Sequence, residues 1–249
     1  MPRVLIPLPG TDFDPTEAAI PWRVLRQRGA ELIFATPDGR PASADPRMLH
    51  GIGLGPLSPL LRADAAARDA HAQMTASAEF RAPVRWDALK ASDFDALVLP
   101  GGHAPGMRPY LESPGLQALV AAFFSRGQPV GAICHGVVLA ARSLCSNGRS
   151  VLHGRRTTAL TRQQELAAWR LTRLWLGDYY RTYALTVQAE VTGALRSPED
   201  FVTGPLPWRR DSLRHPEHGF CVRDGSYLSA RWPGDAHAFA LGMASMLGL

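Results

Sequence analysis

The chain has 249 residues, 46% of them hydrophobic, which is long for one domain and short for two, so a single α/β domain over 1–249 carrying an insertion is expected. Its formal charge of +5 comes mostly from arginines scattered along the sequence, with no basic block to track a phosphate backbone, which sets nucleic acid aside as a partner. Three cysteines, Cys134, Cys145 and Cys221, cannot all pair and form no C-x-x-C arrangement; with no window of membrane-span length and a proline-broken N-terminus, a reduced, cytoplasmic, membrane-free setting is expected.

In chain order, Arg3 to Pro7 reads as an interior strand, and Gly10 to Pro15 supplies turn residues. A helix is predicted from near Thr16, with Ile20, Val24 and Leu25 on one face and a stop at Arg28-Gly-Ala30; Glu31 to Pro37 is the second strand. This β-α-β unit implies a parallel sheet. From Arg40 to about Pro83 the rhythm breaks. Gly51-Ile-Gly-Leu-Gly55 follows no strand and precedes Pro56, so a dinucleotide loop is rejected in favour of an inserted cap at about 40–84 over the sheet edge or the active-site mouth.

A short helix at Asp87 to Ala91 leads to a strand from Phe94 that ends on Gly101-Gly-His103. Two glycines at the carboxyl end of a parallel strand leave backbone N–H groups bare, on the face where such sheets bind ligands. A helix over Pro114 to Arg126 follows. Then comes Gln128-Pro-Val-Gly-Ala-Ile-Cys-His-Gly136, an apolar run that halts at Cys134-His135-Gly136 and resumes as a helix. That pattern describes a nucleophile elbow, with a thiol exposed at its apex and the positive end of a helix favouring thiolate. A buried structural cysteine followed by a helix-capping histidine fits the same nine residues.

Farther on, Ser150 to Leu152 and Arg156 to Leu160 read as short strands, and Thr161 as the N-cap of a helix through about Leu176 with Leu166, Trp169 and Leu174 as its apolar members. Thr186 to Leu195 is ambiguous. Gly219 to Ala230 reads as a hairpin turned at Asp224-Gly225, and Asp235 to Leu247 as a closing helix. The fold class expected is therefore α/β: one doubly wound, flavodoxin-like domain, mostly parallel sheet flanked by helices.

Three features stand in order: Glu17-Ala-Ala-Ile-Pro21 early in the first helix, Pro100-Gly-Gly-His103 after a strand, and Ala132-Ile-Cys-His-Gly136 at the elbow. Together they resemble the ThiJ/PfpI superfamily of class I glutamine amidotransferase-like folds. Phe201-Val-Thr-Gly-Pro205 and Val222-Arg-Asp-Gly225 resemble its glyoxalase III and heat-shock chaperone branch. The resemblance implies Cys134 as nucleophile, Glu17 as the proton-handling carboxyl group beside the sulfur, and His135 as partner. It also implies Gly102 and His135 N–H groups as oxyanion donors, with Gly101, His103 and Gly136 shaping the substrate side.

Only Glu165, in Leu160-Thr-Arg-Gln-Gln-Glu165, remains to complete a triad, and an ordinary helix surface explains it equally well. Trp175, Tyr179, Tyr180 and Trp232 could make the mouth more aromatic than a methylglyoxal enzyme needs, although such residues also serve as core. The implied activity is a cofactor-independent, glyoxalase III-like lyase acting on a small 2-oxoaldehyde. A deglycase or cysteine hydrolase and a stress chaperone or redox-responsive binder are the alternatives. Homodimers are usual for the resemblance. No metal is expected to be required, since His215-Pro-Glu-His218 lacks the helical spacing of a zinc site.

Overall fold

Runs of consecutive apolar residues such as Val4-Leu5-Ile6 and Ala96-Leu97-Val98-Leu99 are buried throughout, as strands covered on both faces by helices must be. The computed structural model describes residues 1–249. Its strands are β1 (Arg3–Pro7), β2 (Thr11–Phe13), β3 (Glu31–Thr36), β4 (Ser43–Ala44), β5 (Val84–Arg85), β6 (Ala96–Leu99), β7 (Val130–Ile133), β8 (Cys221–Asp224) and β9 (Tyr227–Ala230). Seven of them form one sheet in the order β5-β3-β1-β6-β7-β9-β8, while β2 and β4 pair separately. Only β8 runs antiparallel, and its link to β9 is the two-residue turn Gly225-Ser226, one residue later than the expected Asp224-Gly225, because Asp224 still pairs with Tyr227 and Gly225 takes the left-handed position at φ 59°. The order reverses between β1 and β6, which places a ligand crevice beyond the carboxyl ends of β1, β6 and β7.

The helices are α1 (Pro15–Gln27), α2 (Pro46–His50), α3 (Ser58–Leu61), α4 (Ala65–Ala76), α5 (Ala78–Arg81), α6 (Arg108–Leu111), α7 (Pro114–Ser125), α8 (Gly136–Arg142), α9 (Arg162–Leu176), α10 (Val187–Ala194) and α11 (Ala236–Met246). On one side α1 packs against α4 and α11; on the other α7 packs against α8, with α10 behind it. Asp14 caps α1 by accepting from the N–H groups of Thr16 and Glu17, and Pro15 occupies the first helical position. This cap sets the start of the helix, and with it the direction in which Glu17 leaves the first turn.

The segment 40–84 divides its loyalties. Ala67, Ala70, Met74 and Phe80 enter the main core, whereas Met48 and Leu54 form a small separate cluster with Tyr180. At its end β5 extends the sheet edge beside β3. No helix is long and apolar enough to cross a membrane.

Some local expectations are corrected. Ser150–Leu152 leads into a turn and Arg156–Leu160 is irregular, the two segments making only isolated bridges, Leu144 to Ser150 and Thr157 to Phe201. Both edges of β9 are already taken by β7 and β8, so this segment satisfies itself through side chains: Thr158 N donates to Ser229 Oγ at 2.9 Å. The short helix at Asp87 to Ala91 is instead two 3₁₀ turns, Trp86–Ala88 and Ala91–Asp93, since so few residues cannot offset the cost of an α-helical nucleus. Thr186 to Leu195 resolves as α10 with Thr186 as N-cap. Along α9 the fully buried members are Glu165 and Thr172; of the expected apolar members Leu166 and Trp169 are half-buried, Trp169 packing with Ala168 and Leu176 on the Met48–Leu54–Tyr180 cluster, whereas Leu174 is 89% exposed.

The elbow strand comes close to its neighbour, and Gly136 is the reason. A Cβ there would lie 2.1 Å from the Leu99 carbonyl oxygen, a backbone atom that cannot rotate away. Gly136→Ala is expected to destabilise the chain by about 3 kcal/mol through overpacking, read as a lower urea midpoint. An unchanged midpoint would mean that α8 can shift freely on β6.

Candidate active site

β7 ends at Ile133, and the Cys134 N–H donates to the Ala230 carbonyl of β9 at 3.1 Å, so the last sheet bond is made by the elbow residue itself. Cys134 then turns left-handed, at φ 56°, a conformation that costs a non-glycine residue about 1–2 kcal/mol. Two residues later α8 begins. The thiol is not exposed as expected at an apex: Cys134 is 3% exposed and forms part of a cavity wall.

Cys134 Sγ lies 3.4 Å from His135 Nδ1. On the other side of that ring, Nε2 lies 3.0 Å from Thr182 Oγ1, which is also 2.6 Å from the His103 carbonyl oxygen. A hydroxyl has one proton and a carbonyl can only accept. Thr182 therefore donates to His103 and accepts from His135, so the network assigns the imidazole proton to Nε2 and leaves the Nδ1 lone pair facing the sulfur. The Arg108 side chain holds Thr182 by donating to its carbonyl at 3.2 and 2.7 Å.

Glu17 is fully buried and accepts from the Gly101 N–H through Oε2 at 2.8 Å, while Oε1 has no hydrogen-bond partner. Gly101 is required at that contact, because a Cβ would lie 2.6 Å from His135 N and 2.8 Å from Glu17 Oε2. Burial, reinforced by Asp14, pushes the Glu17 carboxyl well above its ordinary range, toward its acid form. Burial likewise pushes the Cys134 thiol up, with the acidic charges of Glu17 and Asp14 adding to it and the His135 N–H opposing it. The expected thiolate thus gives way to a neutral thiol, because desolvation outweighs the single turn of helix behind it. His135 is lowered to about 3 and His103 to about 4, burial being the first cause for both. Asp14 is raised to about 6 by burial.

The N–H groups of Gly102 and His135 make no bond to a backbone carbonyl, which leaves them available to a developing negative charge. His103 stacks on Tyr180 at a centroid distance of 4.4 Å and meets the edge of Tyr179 at 4.9 Å. With Cys134, Glu17 and Gly102 it lines a cavity of about 310 Å³, whose walls include Asp14, Met48, Leu60, Leu61, Leu171, Tyr180, Arg210 and Trp232. Two of the four expected aromatics, Tyr180 and Trp232, belong to this lining; Trp175 lies outside it and donates to the Gly53 carbonyl at 2.9 Å.

Glu165 does not join the Cys134–His135 pair. It accepts from the Val187 N–H at 2.8 Å and pairs with Arg181 at 3.3 Å, two positions that bracket Thr182. Its role is to hold the segment from which Thr182 reaches His135. Sequence reasoning missed Thr182, which sits in an aperiodic stretch without a motif, and Arg210 for the same reason. Asp14 was within reach, since Asp-Pro-Thr-Glu is a helix start. His215, Glu217 and His218 do converge despite their spacing: a 3₁₀ turn brings their ligand atoms within 4.8 Å of one another on the surface, outside the cavity lining.

Residues 8–205 match the family described as ThiJ/PfpI family-like, and the chain belongs to that superfamily. It is 30% identical over 157 residues to a deglycase of Pyrococcus abyssi, covering 63% of this chain and 71% of that protein. It is 31% identical over 121 residues to an uncharacterized protein of Schizosaccharomyces pombe, covering 48% of this chain and 44% of that one, so the match spans less than half of that relative's length. The fold is shared with glyoxalase III of Candida albicans at a TM-score of 0.65 and 18% identity, over 98% of this chain and 96% of that one.

Burial raises Glu165 from 4.5 to about 7, against the opposing pull of the Val187 N–H and Arg181. A carboxyl group raised on folding stabilises below its unfolded value and loses that contribution as pH rises through the folded one. Relative to Glu165→Gln, the native chain should lose stability between about pH 4.5 and 7, by as much as about 3 kcal/mol. Urea unfolding of both proteins across that window checks it; parallel curves would contradict it.

Proposed function

We propose that this chain is a cofactor-independent, cysteine-dependent carbonyl enzyme of the glyoxalase III type, converting a 2-oxoaldehyde and water into a 2-hydroxy acid. The observation that carries the reading is the placement of the Cys134 thiol 3.4 Å from the unprotonated nitrogen of His135, beside the Glu17 carboxyl group, which burial pushes toward its acid form.

The chemistry follows from those protonation states. With the thiol neutral, its proton leaves as the sulfur adds to the aldehyde carbon, passing to His135 Nδ1, while Thr182 stabilises the imidazolium through Nε2. The oxygen that becomes negative meets the free Gly102 and His135 N–H groups and takes the Glu17 proton, giving a hemithioacetal. Glu17, now a carboxylate, removes the hydrogen from the sulfur-bearing carbon and returns it to the adjacent carbon. The hydroxyl proton of the first carbon moves to the second oxygen, and the product is a 2-hydroxy thioester. Water gives a proton to the Glu17 carboxylate as it attacks the thioester carbon, the C–S bond breaks, and the His135 imidazolium returns its proton to the departing sulfur; this frees the 2-hydroxy acid and restores the thiol, the Glu17 acid and the neutral imidazole. Every proton passes between neighbouring groups, and no redox partner is needed.

A deglycase reading shares the same thiol, and the relative from Pyrococcus abyssi that carries that name supports it. There the sulfur would attack the carbonyl-derived carbon of a glycated amine or thiol, and the amine or thiol would be the leaving group.

Methylglyoxal turnover without glutathione separates these outcomes. Native protein should form lactate, and Cys134→Ser should form none while keeping its circular dichroism spectrum. Thr182→Val, which removes the acceptor that fixes the His135 tautomer, should lower kcat roughly tenfold to a hundredfold with a smaller change in KM. Full activity in Cys134→Ser would sink the reading. Release of amine from a glycated peptide without lactate formation would favour the deglycase.

A further inference from the structure

The cavity holds more than a three-carbon aldehyde needs, and part of its lining has a chemistry that the proposed reaction does not use. At about 310 Å³ it reaches the range of sites that enclose a drug-sized ligand. Leu60, Leu61, Leu171 and Tyr180 supply apolar and aromatic surface to its walls. Among these walls stands one cation, Arg210. It forms no ion pair, its one hydrogen bond runs to the Leu60 carbonyl at 3.3 Å, and its guanidinium carbon lies 5.3 Å from the Trp232 ring.

Trp232 Nε1 is a buried donor with no partner. The Gln164 amide nitrogen, on another wall of the same cavity, is also buried and unpartnered, because its oxygen is already engaged by Thr161. All three groups only donate. Buried donors without acceptors are costly, and an oxygen acceptor on the ligand would relieve that cost. The planar fork of an arginine fits a carboxylate in particular. Asp14 and Glu17 line the same cavity, which disfavours a doubly charged phosphate.

We infer that the substrate is an apolar-bodied, preferably aromatic, 2-oxoaldehyde bearing a carboxylate at the end remote from its aldehyde, seated on Arg210 with Trp232 as a second donor. This rests on the reading of Cys134 as the carbonyl-attacking nucleophile. Methylglyoxal, with neither an apolar body nor an anionic end, would then be a poor stand-in for the true substrate.

The test compares initial rates on 4-carboxyphenylglyoxal, phenylglyoxal and methylglyoxal. Native protein should show kcat/KM falling in that order, by tenfold or more from first to last. Arg210→Gln should erase the advantage of the carboxylated compound over phenylglyoxal, mainly by raising KM, and Arg210→Lys should restore part of it. Equal kcat/KM for the three compounds would overturn the inference while leaving the reaction intact.

If none of the three turns over, the proposed reaction fails and the site is read by protection instead, with the rate of Cys134 alkylation by iodoacetamide as the signal. Benzoate should slow alkylation at least fivefold in native protein, benzamide should not, and Arg210→Gln should lose the effect. Absence of benzoate protection would overturn the carboxylate assignment on its own.

Discussion

The left-handed backbone of Cys134 is the constraint from which the rest of the site is laid out. At φ 56° the chain leaves the plane of the sheet and drops α8 onto the end of β6, and this works only because Gly136 presents no Cβ to the Leu99 carbonyl. The same close approach brings His135 N against Gly101, whose N–H is thereby turned toward Glu17. One residue's dihedral angle thus fixes three things together: where the sulfur points, which N–H groups stay free, and how near the first helix can bring its carboxyl group. The local cost of a strained residue is small beside a sheet held by β1, β6, β7 and β9, which is why the strain can persist at a functional position.

Burial then decides the electrostatics. Glu17, Cys134, His135 and His103 are all displaced toward their neutral forms, with desolvation as the first cause in each case. A thiolate–imidazolium pair would place two charges where there is almost no water to receive them. The neutral arrangement instead keeps a proton on the sulfur and one on the carboxyl group, both at the cavity wall, with the Nδ1 lone pair against the sulfur. In the proposed reaction, charge appears only when a carbonyl arrives to accept it. Such a site gains selectivity from that order of events, since an adventitious electrophile meets a thiol rather than a thiolate.

How much of this could be read in the sequence depended on whether a feature is local. The β-α-β rhythm, the Thr161 cap and the Cys134 elbow are encoded within a few consecutive residues and stand where those residues indicated, and the late hairpin does so to within one residue, its turn falling at Gly225-Ser226. Glu17 and Gly101 were also legible as members of ordered motifs, although their hydrogen bond spans 84 positions. Thr182 was not, because its function is created by a fold that brings an aperiodic stretch against His135. Glu165 shows the opposite failure: its residue type suited a triad acid, but a carboxylate is defined by what it reaches, and this one reaches Val187 and Arg181. The apolar stripe of α9 was legible only in part. Trp169 packs on the small Met48–Leu54–Tyr180 cluster, but Leu174 points to solvent and the fully buried positions are the polar Glu165 and Thr172.

The segment that carries Thr182 also explains why the inserted region belongs to the site. Asp45 caps α2 by accepting from the Arg47 N–H, and its other oxygen accepts from the Tyr179 hydroxyl; the Arg47 guanidinium lies over the Tyr179 ring at 4.6 Å. Tyr179 and Tyr180 in turn pack on His103, whose carbonyl receives the Thr182 proton. A single chain of contacts therefore runs from the insertion, through two tyrosines, to the tautomer of the histidine beside the nucleophile. Met48, Leu60 and Leu61 of the same insertion form part of the cavity wall. The insertion residues that shape the cavity and those that support the His135 tautomer share one scaffold, so under the proposed reaction a change in the insertion that alters cavity shape would also disturb proton transfer. Variation in the insertion would then be felt in kcat as well as in KM.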